Sequence, residues 1–415
     1  MKTSGSQSSP KYSSRIRISP IIYFLISIGV SLQISGSNWD IVWHGVGNVE
    51  TFFTPPHSVI YLGVALAISS IIAGIIQAVK IKQPKNIPNK KTIPLSLFSV
   101  SLLPLSLRLT AIGAILQLTA GPFDFWWHNE FGFDGLLSPP HSVLATGMLM
   151  AALGALIGIY NYYSNNDRSQ NENNTLSSSY LFSRLSLIVA FAVFLMVAVG
   201  MVLMFTLPFS KGQYFDFNPN PFAAVVAASI LIPFIIGLCL FMAAKISSYR
   251  IPFILTSIIA IVMVIQSTTT ITSNSYFAWL FPLYLLNILP AVIADILILQ
   301  YLQKKRHEII APSPSSSSEV ASTGKNTISA MKWCLIASMI VSVFYTTFFF
   351  PWTIDVYGGY FKPPNTLRTE EFFIHLLIPV ILPIAVPVSI FSSLAGGLLG
   401  QKLMSAKQVN RIIIS

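Results

Sequence analysis

Trp39-Asp40-Ile41-Val42-Trp43-His44 closes one apolar stretch of the chain, and Thr54-Pro55-Pro56-His57 opens the next. The apolar runs on either side, near 18–36 and 58–79, each have the roughly 20 residues that a helix needs to cross a bilayer. The stretch therefore reads as the tip of a membrane hairpin. It occurs again as Phe123-Asp124-Phe125-Trp126-Trp127-His128 followed by Ser138-Pro139-Pro140-His141. In both copies a His follows the Asp by four residues and a second His follows the first by thirteen.

Working outward, the two copies align at an offset of 84 residues. Asp40, Trp43, His44, Pro55, Pro56, His57, Ser58, Val59 and Gly63 match Asp124, Trp127, His128, Pro139, Pro140, His141, Ser142, Val143 and Gly147. Glu50 matches the acidic Asp134. Each unit is a span, a loop and a returning span, so the two share one orientation and an axis along the membrane normal relates them. Lys362-Pro363-Pro364-Asn365 reads as a degenerate third copy, with Phe348, Trp352 and Asn365 at the ligand positions.

The composition agrees. Of 415 residues 53% are hydrophobic and only 9% charged, and the mean hydropathy is +0.68. The expected fold is an all-α, polytopic membrane bundle with a tandem helix-loop-helix repeat. It has about ten spans at the usual helix length, near 18–36, 58–79, 94–119, 142–163, 181–206, 222–244, 251–272, 277–302, 332–350 and 372–396. Residues 1–17 form an N-terminal tail, 18–163 the duplicated hairpins (18–79 and 94–163), and 181–302 the central helices. Residues 303–331 form a Ser/Pro-rich linker, 332–396 a C-terminal hairpin, and 397–415 a tail. Cys239 and Cys334 both fall inside apolar runs, as buried side chains rather than a disulfide.

The formal charge of +11 suggests nucleic acid until the positions are read. Except for Arg108, Lys211, Lys362 and Arg368, every Lys and Arg lies in a terminus or in a connection on the same side as the termini. By the positive-inside rule both termini are cytoplasmic in the cell membrane and the motifs face outward. The partner implied is the lipid bilayer, and nucleic acid is excluded.

In a chain this poor in charge, four of the six histidines sit in the repeated motifs. Asp and His four apart share one helix face. Thr54 or Ser138 suits an N-cap with Pro55 or Pro139 at the first helical position, which fixes His57 and His141 in a first helical turn. Asp40, His44 and His57, and again Asp124, His128 and His141, thus form candidate metal-ligand sets. Copper, zinc, iron and nickel all accept imidazole, and one carboxylate does not choose among them. Trp43 and Trp127, with Glu50, Asp134 and Arg108, are candidates for the surroundings of the sites. No catalytic residue is assigned. The competing reading is that the histidines are helix caps and the tryptophans ordinary interfacial aromatics.

The D-x3-H-x12-H pattern resembles the metal motif in the C subunit of the copper membrane monooxygenases, the particulate methane and ammonia monooxygenases. That resemblance covers about 30 residues per copy and implies copper as the ion, held by Asp40, His44, His57, Asp124, His128 and His141. It further implies oxidoreductase chemistry on a small substrate, with electrons from a partner subunit or donor, because no haem, flavin or iron–sulfur motif is present. Two copies and a larger number of spans depart from the family. Other readings of the same residues are a transporter of metal or small solutes, a haem-handling protein, and a structural subunit of a membrane complex.

Three polar features remain. Arg108, near the middle of the third span, and Asp295, deep in the eighth, read as an ion pair, or Arg108 as bonding backbone carbonyls, with tuning of the second site or proton relay as the functional reading. The run from Gln266 to Ser273 reads as interhelical hydrogen bonding. Glu370, Glu371 and His375 read as first-turn residues of the last span.

Overall fold

The computed structural model describes residues 18–45, 51–82, 103–132, 137–170, 178–205, 221–246, 253–273, 288–310, 332–333, 335–344 and 373–404. Glu50, Asp134, Cys334, Glu370, Glu371, the degenerate copy at 348–365 and the tails fall outside the described residues, as does most of the linker. The described elements are helical throughout, with no strand among them. They are α1 (Pro20–Gly45), α2 (Pro55–Lys82), α3 (Leu105–Phe131), α4 (Pro139–Gln170), α5 (Ser178–Met204), α6 (Pro221–Ile246) and α7 (Ile254–Ser273). Then come α8 (Ile288–Ile310), the short α9 (Leu335–Phe344), a π-helical turn at Phe373–Ile381, and α10 (Leu382–Met404).

Six of these helices are long and apolar enough to span a bilayer: α1, α2, α4, α5, α6 and the last. The protein is an all-α, multi-pass membrane bundle. Shorter apolar helices lie at Ile254–Ile265, Ile288–Gln303 and Leu335–Phe344. The first and third helices run further than their apolar residues suggest, α1 to Gly45 and α3 to Phe131. A hydrophobic count stops at the first polar residues, whereas the backbone ladder has no reason to stop there. The 26 residues of α1 reach about 39 Å, longer than the roughly 30 Å hydrocarbon layer. The motif residues Asp40 and His44 therefore ride on a helical end.

α1 packs against α2 and α3 against α4, and the two hairpins meet through α1–α4 and α2–α3. α5 lies on α1, α4, α6 and α7, and α10 lies on α6. Lipid tails are as apolar as these side chains, so close backbone approach rather than hydrophobic transfer has to hold such helices together. Glycine supplies it. A Cβ on Gly63 would lie 2.5 Å from the Gly29 carbonyl oxygen, and one on Gly113 would lie 2.5 Å from that of Gly147. These two crossings are related by the 84-residue offset, so the repeat extends well below the motif. At the join, Gly158 accepts the face of the Tyr23 ring, whose hydroxyl shares a 2.7 Å hydrogen bond with Ser106 Oγ.

The ion pair expected between Arg108 and Asp295 does not form. Asp295 Oδ2 accepts hydrogen bonds from the Thr256 N–H and Oγ1, both at 2.8 Å, and Oδ1 accepts the Leu255 N–H at 3.3 Å. It caps the start of α7, where unsatisfied N–H groups favour a carboxylate. Arg108 sits in the first turn of α3 rather than mid-span. Sixteen residues separate it from Asp124, about 24 Å along the helix, too far to tune that site. Cys239 is free and buried.

Gly113→Ala places a Cβ against a backbone carbonyl that cannot rotate away. It should destabilise the protein by roughly 1–3 kcal/mol. Gly200→Ala, in the interior of α5 with nothing within 4 Å of the new carbon, should be neutral or stabilise by up to about 1 kcal/mol. Thermal unfolding in detergent, read by circular dichroism, measures both.

Candidate metal centre

In the second repeat, α3 carries Asp124 and His128 one turn apart, and α4 presents His141 from its first turn. The Nε2 atoms of His128 and His141 lie 3.5 and 3.3 Å from Asp124 Oδ1. One ligand atom from each of the three falls within 4.8 Å of the others. The side chains are 17–26% exposed, reachable yet mostly shielded. Charge-assisted N–H···O bonds are shorter, about 2.7–2.9 Å. Asp124 Oδ1 indeed has no hydrogen-bond partner among the described residues. The separations instead match the edge of a coordination tetrahedron, about 3.3 Å for metal–ligand bonds near 2.0–2.1 Å.

The other nitrogen of His128 has a fixed role. His128 Nδ1 lies 3.2 Å from the Gly132 carbonyl oxygen. A carbonyl only accepts, so Nδ1 carries the hydrogen and donates it, which puts the acceptor lone pair on Nε2. Gly132 ends α3 with φ 69°, a conformation that glycine adopts without Cβ strain, and its N–H donates to the His128 carbonyl at 3.0 Å. One residue thus closes the helix and orients the imidazole. Asn48 stands at the corresponding position of the first repeat, outside the described residues.

The proline-led helix starts are as the residues suggest: α2 begins at Pro55 and α4 at Pro139. Ser138 Oγ accepts the His141 backbone N–H at 3.4 Å, holding the ligand-bearing turn. Thr54 occupies the same place, but its Oγ1 is buried and makes no hydrogen bond among the described residues.

In the first repeat, His57 Nε2 lies 3.3 Å from Asp40 Oδ1, the distance found for His141 and Asp124. The His44 side chain falls outside the described residues. Aromatic packing is duplicated as well. Trp43 meets Trp39 edge-on at 6.5 Å, and Trp127 meets Phe123 edge-on at 6.1 Å. Phe52, just before α2, reaches Phe125 of α3 at 5.9 Å and joins the two motif ends.

No known protein family, curated protein or solved structure matches this chain. The resemblance to the copper monooxygenase subunit accordingly rests on the motif residues alone.

The structure adds residues that motif reading passed over. Gly132 carries a recognisable signal, a glycine just beyond a helix. Phe52 and Phe125 carry none, because their contact joins different hairpins. Gln33 and Gln117 are buried polar residues at matched positions, seven residues before each Asp.

Ser138→Ala should cost about 1 kcal/mol, the usual loss of an N-cap. Thr54→Val should be neutral or stabilising, because it removes a buried hydroxyl that has no bond to lose. Denaturation midpoints of the two variants, compared with the parent protein, test this asymmetry between the repeats.

Proposed function

We propose that this membrane protein binds two metal ions, one at Asp124, His128 and His141 and the other at Asp40, His44 and His57. The observation that carries the reading is the second triad: two imidazole nitrogens, each 3.3–3.5 Å from one carboxylate oxygen, with His128 held by Gly132 in the tautomer that leaves the acceptor lone pair on Nε2. Recurrence of the Asp–His separation in the first repeat supports the duplication.

The preferred ion is copper, on the strength of the motif's resemblance to the monooxygenase C subunit. Two imidazoles and a carboxylate suit it, although zinc and iron are also compatible with such a set. Three protein ligands leave a coordination position for a small molecule, as catalytic sites do and closed structural sites do not. In this reading both centres face outward and the termini are cytoplasmic, which the distribution of Lys and Arg supports.

A bound copper would supply redox chemistry, in a role similar to that of a monooxygenase subunit acting on a small substrate. The chain's own contribution is to hold and orient. The Asp124 carboxylate offsets the ion's charge, Ser138 steadies the turn bearing His141, and the Gly132 carbonyl sets the imidazole of His128. Trp127 and Phe123 give the ligand-bearing turn an apolar flank. Electrons would come from a partner chain or donor.

Metal content of the detergent-purified protein, measured by mass spectrometry, tests the reading. Two copper equivalents are expected for the wild type and one for each of His57→Ala and His141→Ala. If no metal co-purifies or rebinds after dialysis against copper, the histidines are helix caps and the proposal fails.

A further inference from the structure

Four helices, α1, α5, α6 and α7, border a cavity of about 50 Å³. At the end far from the metal motifs its wall is Leu195, Ile236 and Ile259, each 1–3% exposed. At the near end stand Asn38, Gly200 and Leu203, all half-buried. Leu195 and Leu203 are about 12 Å apart along α5, so the space is elongated along the helices. Asn38 is the only polar side chain among the described lining residues.

Helix packing does not account for this wall. Gly200 lies inside α5, where glycine is less favourable than alanine, yet a Cβ there would meet nothing within 4 Å. At Gly63 and Gly113 the same carbon would strike a backbone carbonyl. The repeat does not account for Asn38 either. Ile34 and Asn38 correspond to Leu118 and Pro122 of α3, both of which are exposed. The face of α1 that is turned into the bundle carries an amide where its counterpart is apolar.

Size and wall chemistry together select a ligand. One water needs roughly 10–15 Å³ of such space, so the cavity accommodates about four non-hydrogen atoms. Apolar walls favour an aliphatic body, and ligand sites between helices of a bundle pair such walls with a few placed polar groups. An amide and a hydroxyl both donate and accept, so each satisfies the other away from bulk water. We propose that this cavity binds a small aliphatic alcohol of two or three carbons, its hydroxyl on the Asn38 carboxamide and its chain directed toward Leu195 and Ile259. Asn38 and Asp40 are about 200° apart around α1, so the site is separate from the first metal centre and does not rest on metal binding.

2-Fluoroethanol, which has four non-hydrogen atoms, is the probe, and its fluorine NMR line width in detergent solution is the readout. The full-length protein is expected to broaden the line beyond detergent micelles alone. Gly200→Leu, which fills the cavity, is expected to abolish that excess, with helical content checked by circular dichroism. Asn38→Leu should raise the dissociation constant about fivefold to tenfold, the loss expected for one hydrogen bond. No broadening above micelles, or equal broadening by the parent and Gly200→Leu, overturns the proposal, as does an Asn38→Leu variant that binds as tightly as the parent. Should Gly200→Leu fail to fold, wild-type crystals soaked in 2-bromoethanol decide the matter. Anomalous bromine density beside Gly200, between α1 and α5, supports the site, and its absence there refutes it.

Discussion

The structure depends on how closely α1 approaches α2, and α3 approaches α4. At Gly29/Gly63 and Gly113/Gly147 the backbones come so near that a single methyl group would strike a carbonyl oxygen. In lipid this contact does what hydrophobic burial does in water, because dispersion between well-fitted surfaces is what distinguishes helix from lipid as a neighbour. Everything at the motif ends follows from it. Asp124 and His141 sit on different helices, and two helices separated by ordinary bulky side chains would hold them too far apart to meet.

Close approach alone would leave the imidazoles free to turn. The termini of the helices remove that freedom. Gly132 ends α3 and directs its carbonyl at His128, while Ser138 begins α4 and holds the backbone of His141. The last turn of one helix and the first of the next are where backbone groups lack intrahelical partners. A site placed there recruits those groups as supports. The site thus draws rigidity from the helix ends.

Elsewhere the buried charges serve structure. Asp295 caps α7. Arg184 donates to the Tyr163 hydroxyl at 3.2 Å and to the Ile246 carbonyl at 3.0 Å, and lies over the rings of Tyr163 and Tyr180. It closes the end of α6 while keeping its charge solvated by carbonyl and aromatic groups. Among the described residues, the Asp124/His128/His141 cluster and the Asp40–His57 pair are polar groups that helix capping does not explain.

The sequence by itself determined the helical class, the repeat, the proline-led starts of α2 and α4, and the residues that meet at the second centre. Local physics suffices for these. Apolar length sets a span, proline and serine set a helix start, and a four-residue interval puts two side chains on one face. Even the pairing of His141 with Asp124 was legible, because a short loop forces neighbouring spans together. Only the tertiary structure decided what Asp295 and Arg108 do, where Gln33 and Gln117 lie, and that Phe52 meets Phe125. Each of these depends on which helix faces which, and at what depth. Hydropathy is blind to both: a charge within an apolar run looks the same whether it caps a neighbouring helix or lies alone. Contacts between elements far apart in sequence arise only once the glycine crossings have fixed the register of one helix against the next.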